Sequence, residues 1–255
     1  MIKKEEVLKN FGKEERDEVI KIYEWMELSY EKEIPIFSRS FCTPNIWLYF
    51  TNNFNSKNFK VEASGYFEES DRRVISFNNI YESDYPYKLV KIEKKSKFDS
   101  LSHRDYLGAI MALGMEREKF GDLRVLENYA VVPVYEDVVE YIISSLVSVG
   151  KSPVSCEVIH DTTLSKVSFL EVIINVSSLR LDSIVSKLSN ISRSKALELI
   201  NQNKVLLDYC KVNSKSLEVK EGQRITIAGV GKYIMGNIVG STKSGRFKVN
   251  IKKYI

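Results

Sequence analysis

Between Tyr87 and Ile159 the hydrophobic period switches back and forth, and the order of the switches leaves few folds open. Tyr87 to Glu93 alternates like a strand. His103 to Met115 carries Tyr106, Leu107, Ile110, Met111 and Leu113 at helical spacing. Asp122 to Leu126 and Ala130 to Val134 read as two strands around a turn at Glu127-Asn128. Asp137 to Val149 reads as an amphipathic helix and Val154 to Ile159 as a last strand. A period of two puts alternate side chains on one sheet face, and a period of 3.6 puts them on one side of a helix. The resulting order, βαββαβ, is that of the ferredoxin-like sandwich, common among RNA-binding and interaction domains, although a fold alone assigns no function.

The flanks add two further parts. Residues 13–32 read as a long helix with Ile20, Tyr23, Trp25, Met26 and Leu28 on its apolar side. Ile34 to Phe50 is apolar and aromatic but interrupted by Pro35 and Pro44. Phe59 to Ala63 and Arg73 to Phe77 alternate as strands. These segments make a small α/β unit, 1–83. A ferredoxin-like domain, a candidate for RNA binding, follows as 84–176, with Leu164 to Val176 as one further strand and the link onward. The third domain is 177–255, and the whole is α+β. A length of 255 residues with 44% hydrophobic content is enough for two or three cores.

Charge separates the last part from the rest. From Ser178 to Ile255 there are 15 Lys+Arg against 5 Asp+Glu, whereas residues 1–177 hold 23 against 29. A chain with a formal net charge of +4 therefore combines an acidic body with a basic C-terminal module. Such asymmetry points to a polyanionic partner. The plainer alternative is a solvated basic surface.

Inside the module, Leu179, Leu181, Ile184, Val185 and Leu188 give one apolar face of a short helix, which breaks at Ser189-Asn190. Ser192 is placed to cap a second helix with Ala196, Leu197, Leu199 and Ile200 on its apolar face. Asn201-Gln202-Asn203 ends it. Lys204 to Asp208 is strand-like, with a turn at Asp208-Tyr209, and Arg224 to Ile227 alternates after a turn at Glu221-Gly222. Gly229 to Tyr233, Gly240 to Arg246 and Val249 to Ile255 suggest two more strands joined by a Gly/Lys-rich turn. Ser192, Arg193 and Lys195 sit at a helix start, where free N–H groups and the helix dipole favour phosphate. Arg180 opens the preceding helix, Lys187 lies on its polar side and Lys204 enters the strand beside them. Lys232, Lys243, Arg246 and Lys248 are candidates to extend a phosphate-contact surface, or ordinary edge-strand charges.

In order along the chain, Arg180-Leu181-Asp182, Ser192 to Ala196, Leu199-Ile200, Val205 to Asp208, Val219 to Gln223 and Ile225 resemble the S-four RNA-binding domain, also called the αL motif. Asn203, Asp208-Tyr209 and Gln223 depart from its usual Gly, Asn-Gly and Asp. Two further segments, Ser102 to Ala109 with Leu113 to Asp122, and Gly65 to Arg73 preceded by Phe41 to Pro44, extend the resemblance over nearly the whole chain to the YlmH family of bacterial S-four-domain proteins.

That resemblance implies a non-catalytic protein that binds structured rRNA of the large ribosomal subunit and tRNA. The implied role is ribosome-associated quality control of stalled peptidyl-tRNA complexes. His103, Arg104, Arg117, Lys119, Arg72 and Arg73 are candidates for a second RNA or ribosome surface, joined by Arg124. His103-Arg104-Asp105 invites a catalytic reading with His as base, but consecutive helical residues diverge and do not meet at one atom. Gly229-Val230-Gly231 lacks the third glycine of a dinucleotide site, no Gly-x-x-x-x-Gly-Lys-Ser/Thr phosphate loop exists, and His103 and His160 have no cysteine pair to make a zinc site.

No metal or organic cofactor is expected. No apolar run approaches 18 residues, and Cys42, Cys156 and Cys210 are isolated, so a monomeric, cytoplasmic protein without membrane contact is expected. Quality-control protein factors are candidate partners for the acidic body. The alternatives left open are an RNA-modifying or tRNA-acting enzyme anchored by the basic module, betrayed by a cleft of converging titratable groups in residues 1–177, and a cell-division interaction scaffold. Arg193→Glu with Lys195→Glu is expected to abolish RNA binding and leave the fold intact.

Overall fold

The computed structural model describes residues 2–96, 100–160, 169–212 and 217–254. The chain divides into two compact units, 1–166 and 167–255. No helix among the described residues is long and apolar enough to cross a membrane.

The first unit opens with α1 (Lys4–Leu8) and α2 (Arg16–Lys32). Helix α2 buries Val19, Ile22, Tyr23, Met26 and Ser29, one face at steps of three and four, and ends at Glu33 in the left-handed region. After β1 (Ile36–Phe37) comes α3 (Pro44–Phe54). Pro44 does not interrupt structure there. It is the first residue of α3, where its fixed φ and missing N–H cost nothing. β2 (Val61–Ser64) and β3 (Val74–Phe77) complete a three-stranded sheet of order β1-β3-β2.

The expected βαββαβ order follows. β4 (Tyr87–Lys94), α4 (His103–Met111), β5 (Arg124–Val125), β6 (Tyr129–Tyr135), α5 (Val139–Ser145), a short β7 (Ser148–Val149) and β8 (Ser152–Ile159) form a sheet of order β5-β6-β4-β8-β7, antiparallel throughout. Leaving out the extra β7, the order is that of the ferredoxin-like sandwich. The second helix is shorter than its pattern suggested, because a 3-10 turn takes Glu136–Val138 and Val149 pairs in β7.

The segments before and after residue 83 share buried clusters. Phe41 and Val74 pack with Tyr135, and Phe67 packs with Leu89 and Val131. The loop between β2 and β3 is drawn against this sheet, since Asp122 accepts the backbone N–H groups of Asp71 (2.5 Å) and Arg72 (3.2 Å). Gly65 is what lets the loop close. A Cβ there would lie 2.3 Å from the Ser70 Cβ and 2.8 Å from the Arg72 carbonyl oxygen.

The second unit is one antiparallel sheet, order β11-β10-β12-β13-β14-β9, with two helices packed on one face. Its parts are β9 (Phe169–Val176), α6 (Leu181–Leu188), α7 (Arg193–Asn201), β10 (Val205–Leu207), β11 (Cys210–Lys211), β12 (Arg224–Ile227), β13 (Gly231–Ser241) and β14 (Phe247–Tyr254). The strand expected to end the middle domain instead closes this sheet. β9 pairs with β14 over its full length, from Phe169↔Tyr254 to Val176↔Phe247, and buries Ile174 and Val176 in the helix-side core. Residues 164–168 of that expected strand lie outside the described residues. Leu181, Ile184 and Val185 of α6 and Ala196 and Ile200 of α7 fill the core from the other side.

Candidate nucleic-acid interface

Helix α6 starts after Arg180 and α7 after Ser192. Ser192 caps α7, its hydroxyl accepting the Lys195 N–H at 3.3 Å. Asn190 and Asn203, both with φ near +55°, end the two helices in the left-handed turn that asparagine tolerates. The chain thus folds back sharply and sets two helix starts near one another.

Asp182 joins them. It lies in the first turn of α6, its side chain only 2% exposed. Arg193 donates to it from Nε at 2.9 Å and from Nη2 at 3.1 Å, and Arg180 from Nε and Nη2 at 3.2 Å each. The Ser183 N–H adds a fifth bond at 2.9 Å. Burial pushes the Asp182 carboxyl up, but the bonds and charges of Arg193 and Arg180 outweigh it and hold the group below the ordinary carboxylate value. The two guanidiniums, with side chains 47% and 39% exposed, are each held by two bonds to one carboxylate while remaining open to solvent. Arg180 and Arg193 are therefore not loose outward cations. They are a preoriented pair linked by a buried acid. Lys187, Lys195 and Lys204 are exposed on the same helix pair and its exit.

The turn at Asp208-Tyr209 forms as expected, with both residues at positive φ where the family carries Asn-Gly. Asp208 secures it by accepting the Arg224 N–H at 2.8 Å and a Gln223 side-chain N–H at 2.7 Å. Lys243, Arg246 and Lys248 are exposed around the β13–β14 hairpin tip, and Lys232 is partly buried on the sheet.

The comparisons with known proteins agree with this layout. The S4 domain model matches residues 179–225, and the model described as "Putative RNA-binding domain in YlmH" matches residues 81–163. The ribosome-associated protein quality control protein P2 of Bacillus subtilis (strain 168) is 28% identical over 97% of this chain and 98% of its own. Together these matches support a YlmH-family S4 RNA-binding protein. A solved structure, the cell division protein ylmH from Streptococcus pneumoniae, is 25% identical, covers 60% of this chain and 95% of that one, and superposes with a TM-score of 0.48.

Of the other basic candidates, Arg72, Arg117 and Arg124 gather around Asp122. Arg73 donates to the carbonyls of Ser70 and Glu68 and lies over the Trp47 ring at 4.7 Å. Arg72 donates to the Phe41 carbonyl. Arg117 donates to the Phe120 carbonyl at 2.7 Å, and burial together with the nearby Arg72 charge pulls its pKa down to about 10. Lys119 bonds Asp137 at 2.5 Å and the Arg39 carbonyl, over the Tyr135 ring. Arg124 lies 3.7 Å over the Phe67 ring. These five pin the loops of the first unit, which a count of cations along the sequence does not reveal. His103 and Arg104 are exposed at the start of α4, where Ser102 and Asp105 form a capping box with bonds of 2.7 Å.

Sequence reading assigned no role to Asp182, although the signal was there. A carboxylate at the start of an apolar helix, two residues from one arginine and eleven from another, needs a partner to be buried.

Proposed function

We propose that this protein binds structured rRNA of the large ribosomal subunit, and tRNA held there, through the α6–α7 face. On this reading it acts without catalysis of its own in the quality control of subunits that still carry peptidyl-tRNA. The observation that carries the reading is the Arg180–Asp182–Arg193 fork. Two guanidiniums held in place bind phosphate oxygens with little further ordering, and Lys187, Lys195 and Lys204 supply unfixed charge around them. The name of the B. subtilis relative, aligned over almost the whole chain, supports the ribosomal setting. The acidic body would meet protein factors rather than RNA, and His103 and Arg104 are its remaining candidates for ribosome contact.

The cleft that would favour an enzyme lies among Lys60, Glu62, Ser64, Tyr85, Tyr87 and His160. Two of its phenols are tied to serine hydroxyls, Tyr87 to Ser64 at 3.2 Å and Tyr85 to Ser76 at 2.9 Å. Burial raises both phenol pKa values, away from the phenolate a nucleophile or base would need. That chemistry supports a binding role.

Crosslinking and sequencing of bound RNA across sucrose-gradient fractions tests the proposal. Reads on large-subunit rRNA and tRNA from the free large-subunit fraction are expected. Reads scattered over mRNA, or protein found only off the ribosome, would overturn it.

A further inference from the structure

The face of the second unit's sheet away from α6 and α7 has a composition that the helix-side reading does not use. Strand alternation decides what lies there. Ile225, Ile227, Tyr233, Met235, Val249 and Ile251 point into the helix-side core, so their neighbours point the other way. Across the sheet those neighbours include Lys211, Arg224, Lys232, Lys248 and Lys252, brought into adjacent rows by the pairs Arg224↔Ile234, Thr226↔Lys232 and Ile234↔Lys252. Among the described strand residues the ladders put one carboxylate on this face, Glu171, which accepts a side-chain N–H of Asn250 at 3.1 Å.

Aromatic rings lie between the cations. Arg224 and Lys232 stand 5.7 and 5.9 Å from the centre of the Tyr209 ring, and Arg224 donates to its hydroxyl at 3.1 Å. At the far edge Lys252 stands 5.7 Å from the Phe169 ring, which meets Tyr254 edge-on at 5.1 Å. These cation distances are at the outer limit of such contacts, so the rings have cations beside them rather than stacked tightly on them. Ile173, 61% exposed, adds apolar surface farther along the same edge strand as Phe169.

A polar sheet face that only needed solvation would carry both signs of charge and few rings. Cations that follow a backbone, with rings that accept base faces, fit one class of ligand, an unstacked single strand of nucleic acid. We propose that this outer sheet face is a second RNA-contact surface, separate from the α6–α7 face, and that it holds a single-stranded stretch of RNA between the Tyr209 and Phe169–Tyr254 clusters. The inference rests on the RNA-binding reading of this unit but not on the helix-side contact.

The experiment measures the full chain, by fluorescence anisotropy, against a labelled uridine 12-mer and against a labelled RNA hairpin, over a salt series. Three variants are compared with the parent, with circular dichroism to verify folding. Lys232→Gln with Lys252→Gln removes charge from the sheet face. Tyr209→Asn removes a ring while keeping a residue that tolerates positive φ. Lys187→Glu with Lys195→Glu alters the helix side alone. The two sheet-face variants should weaken the 12-mer about tenfold each, and the lysine pair should lower its salt slope by roughly 1.4, with hairpin binding unchanged. The helix-side variant should do the reverse. If the 12-mer is lost only in the helix-side variant, the second surface is overturned and the helix-side reading stands. If neither RNA responds to any variant, both readings fall.

Discussion

Asp182 shows how much a single buried acid decides. Replacing it with Ala would leave Arg180 and Arg193 facing each other unscreened, and should cost about 2 kcal/mol in urea unfolding, less than a fully buried pair because both guanidiniums touch water. Arg193→Glu sets a second carboxylate against Asp182 and should destabilise the unit by a similar amount, whereas Lys195→Glu should stay within about 0.5 kcal/mol. The paired reversal of Arg193 and Lys195 is therefore not the fold-neutral variant that the sequence suggested, and Lys187 with Lys195 is the clean choice. Because the Asp182 pKa is lowered by folding, its contribution is present at neutral pH and is lost only as pH falls through a value below the ordinary carboxylate range. Glu18 has the opposite sign. Burial, with the Glu118 and Glu15 charges against the opposing Arg72, raises its pKa to about 7. Its stabilising share is complete below the ordinary Glu range and is lost as pH rises through about 7. Glu18→Gln should thus gain up to about 3 kcal/mol over the parent at pH 8 and nothing near pH 4, read from denaturation midpoints at both values.

Strand β9 carries the clearest test among the elements. Its ladder with β14 and the burial of Ile174 and Val176 make it part of the C-terminal sheet. A fragment beginning at Ser177 should melt at least about 10 °C below one beginning at Val167, by circular dichroism, since it loses two core side chains and bares the β14 edge. A strand within Leu164 to Val176 was legible in the sequence, but which sheet it joins was not, because a strand pattern names no partner. Where the period was long and unambiguous, as in α2 and β4, the sequence led to the observed element. In β1 and β7, strands of two residues, local pattern carried nothing and the neighbouring ladder decided. Pro44 was misread for a related reason, since proline marks the start of a helix as readily as its end. The Gly65 contact is another feature visible only in three dimensions, and Gly65→Ala should cost more than about 2 kcal/mol by forcing the loop from the Asp122 anchor.

Over the whole molecule the division of charge matters more than its sum. The module that holds the net positive charge also holds the fork and the rings, whereas many of the cations of the first unit are spent on its own carbonyls, carboxylates and rings. The helix starts at Arg180 and Ser192 were readable because their residues are close in sequence and carry start signals. That Arg72, Arg73 and Arg117 donate to loop carbonyls was not, because such donors look the same in sequence as donors to phosphate. With roughly 4–6 phosphate contacts on the helix side, the affinity for a structured RNA should fall with a log–log salt slope of roughly −4 to −5, measured by anisotropy between 50 and 200 mM salt.

Phe169 and Tyr254 face each other across a single ladder. The first and last described residues of the second unit therefore lie about 5 Å apart in the hydrogen-bonding direction. A short peptide bridging them would turn the unit into a ring, which can be reopened at the exposed hairpin tip between Lys243 and Ser244. Such a circular permutant keeps every ladder but β13–β14 locally connected as before, and makes the β9–β14 pair the near neighbour in sequence. It offers a way to learn whether closing that long-range ladder is the slow step in acquiring this fold.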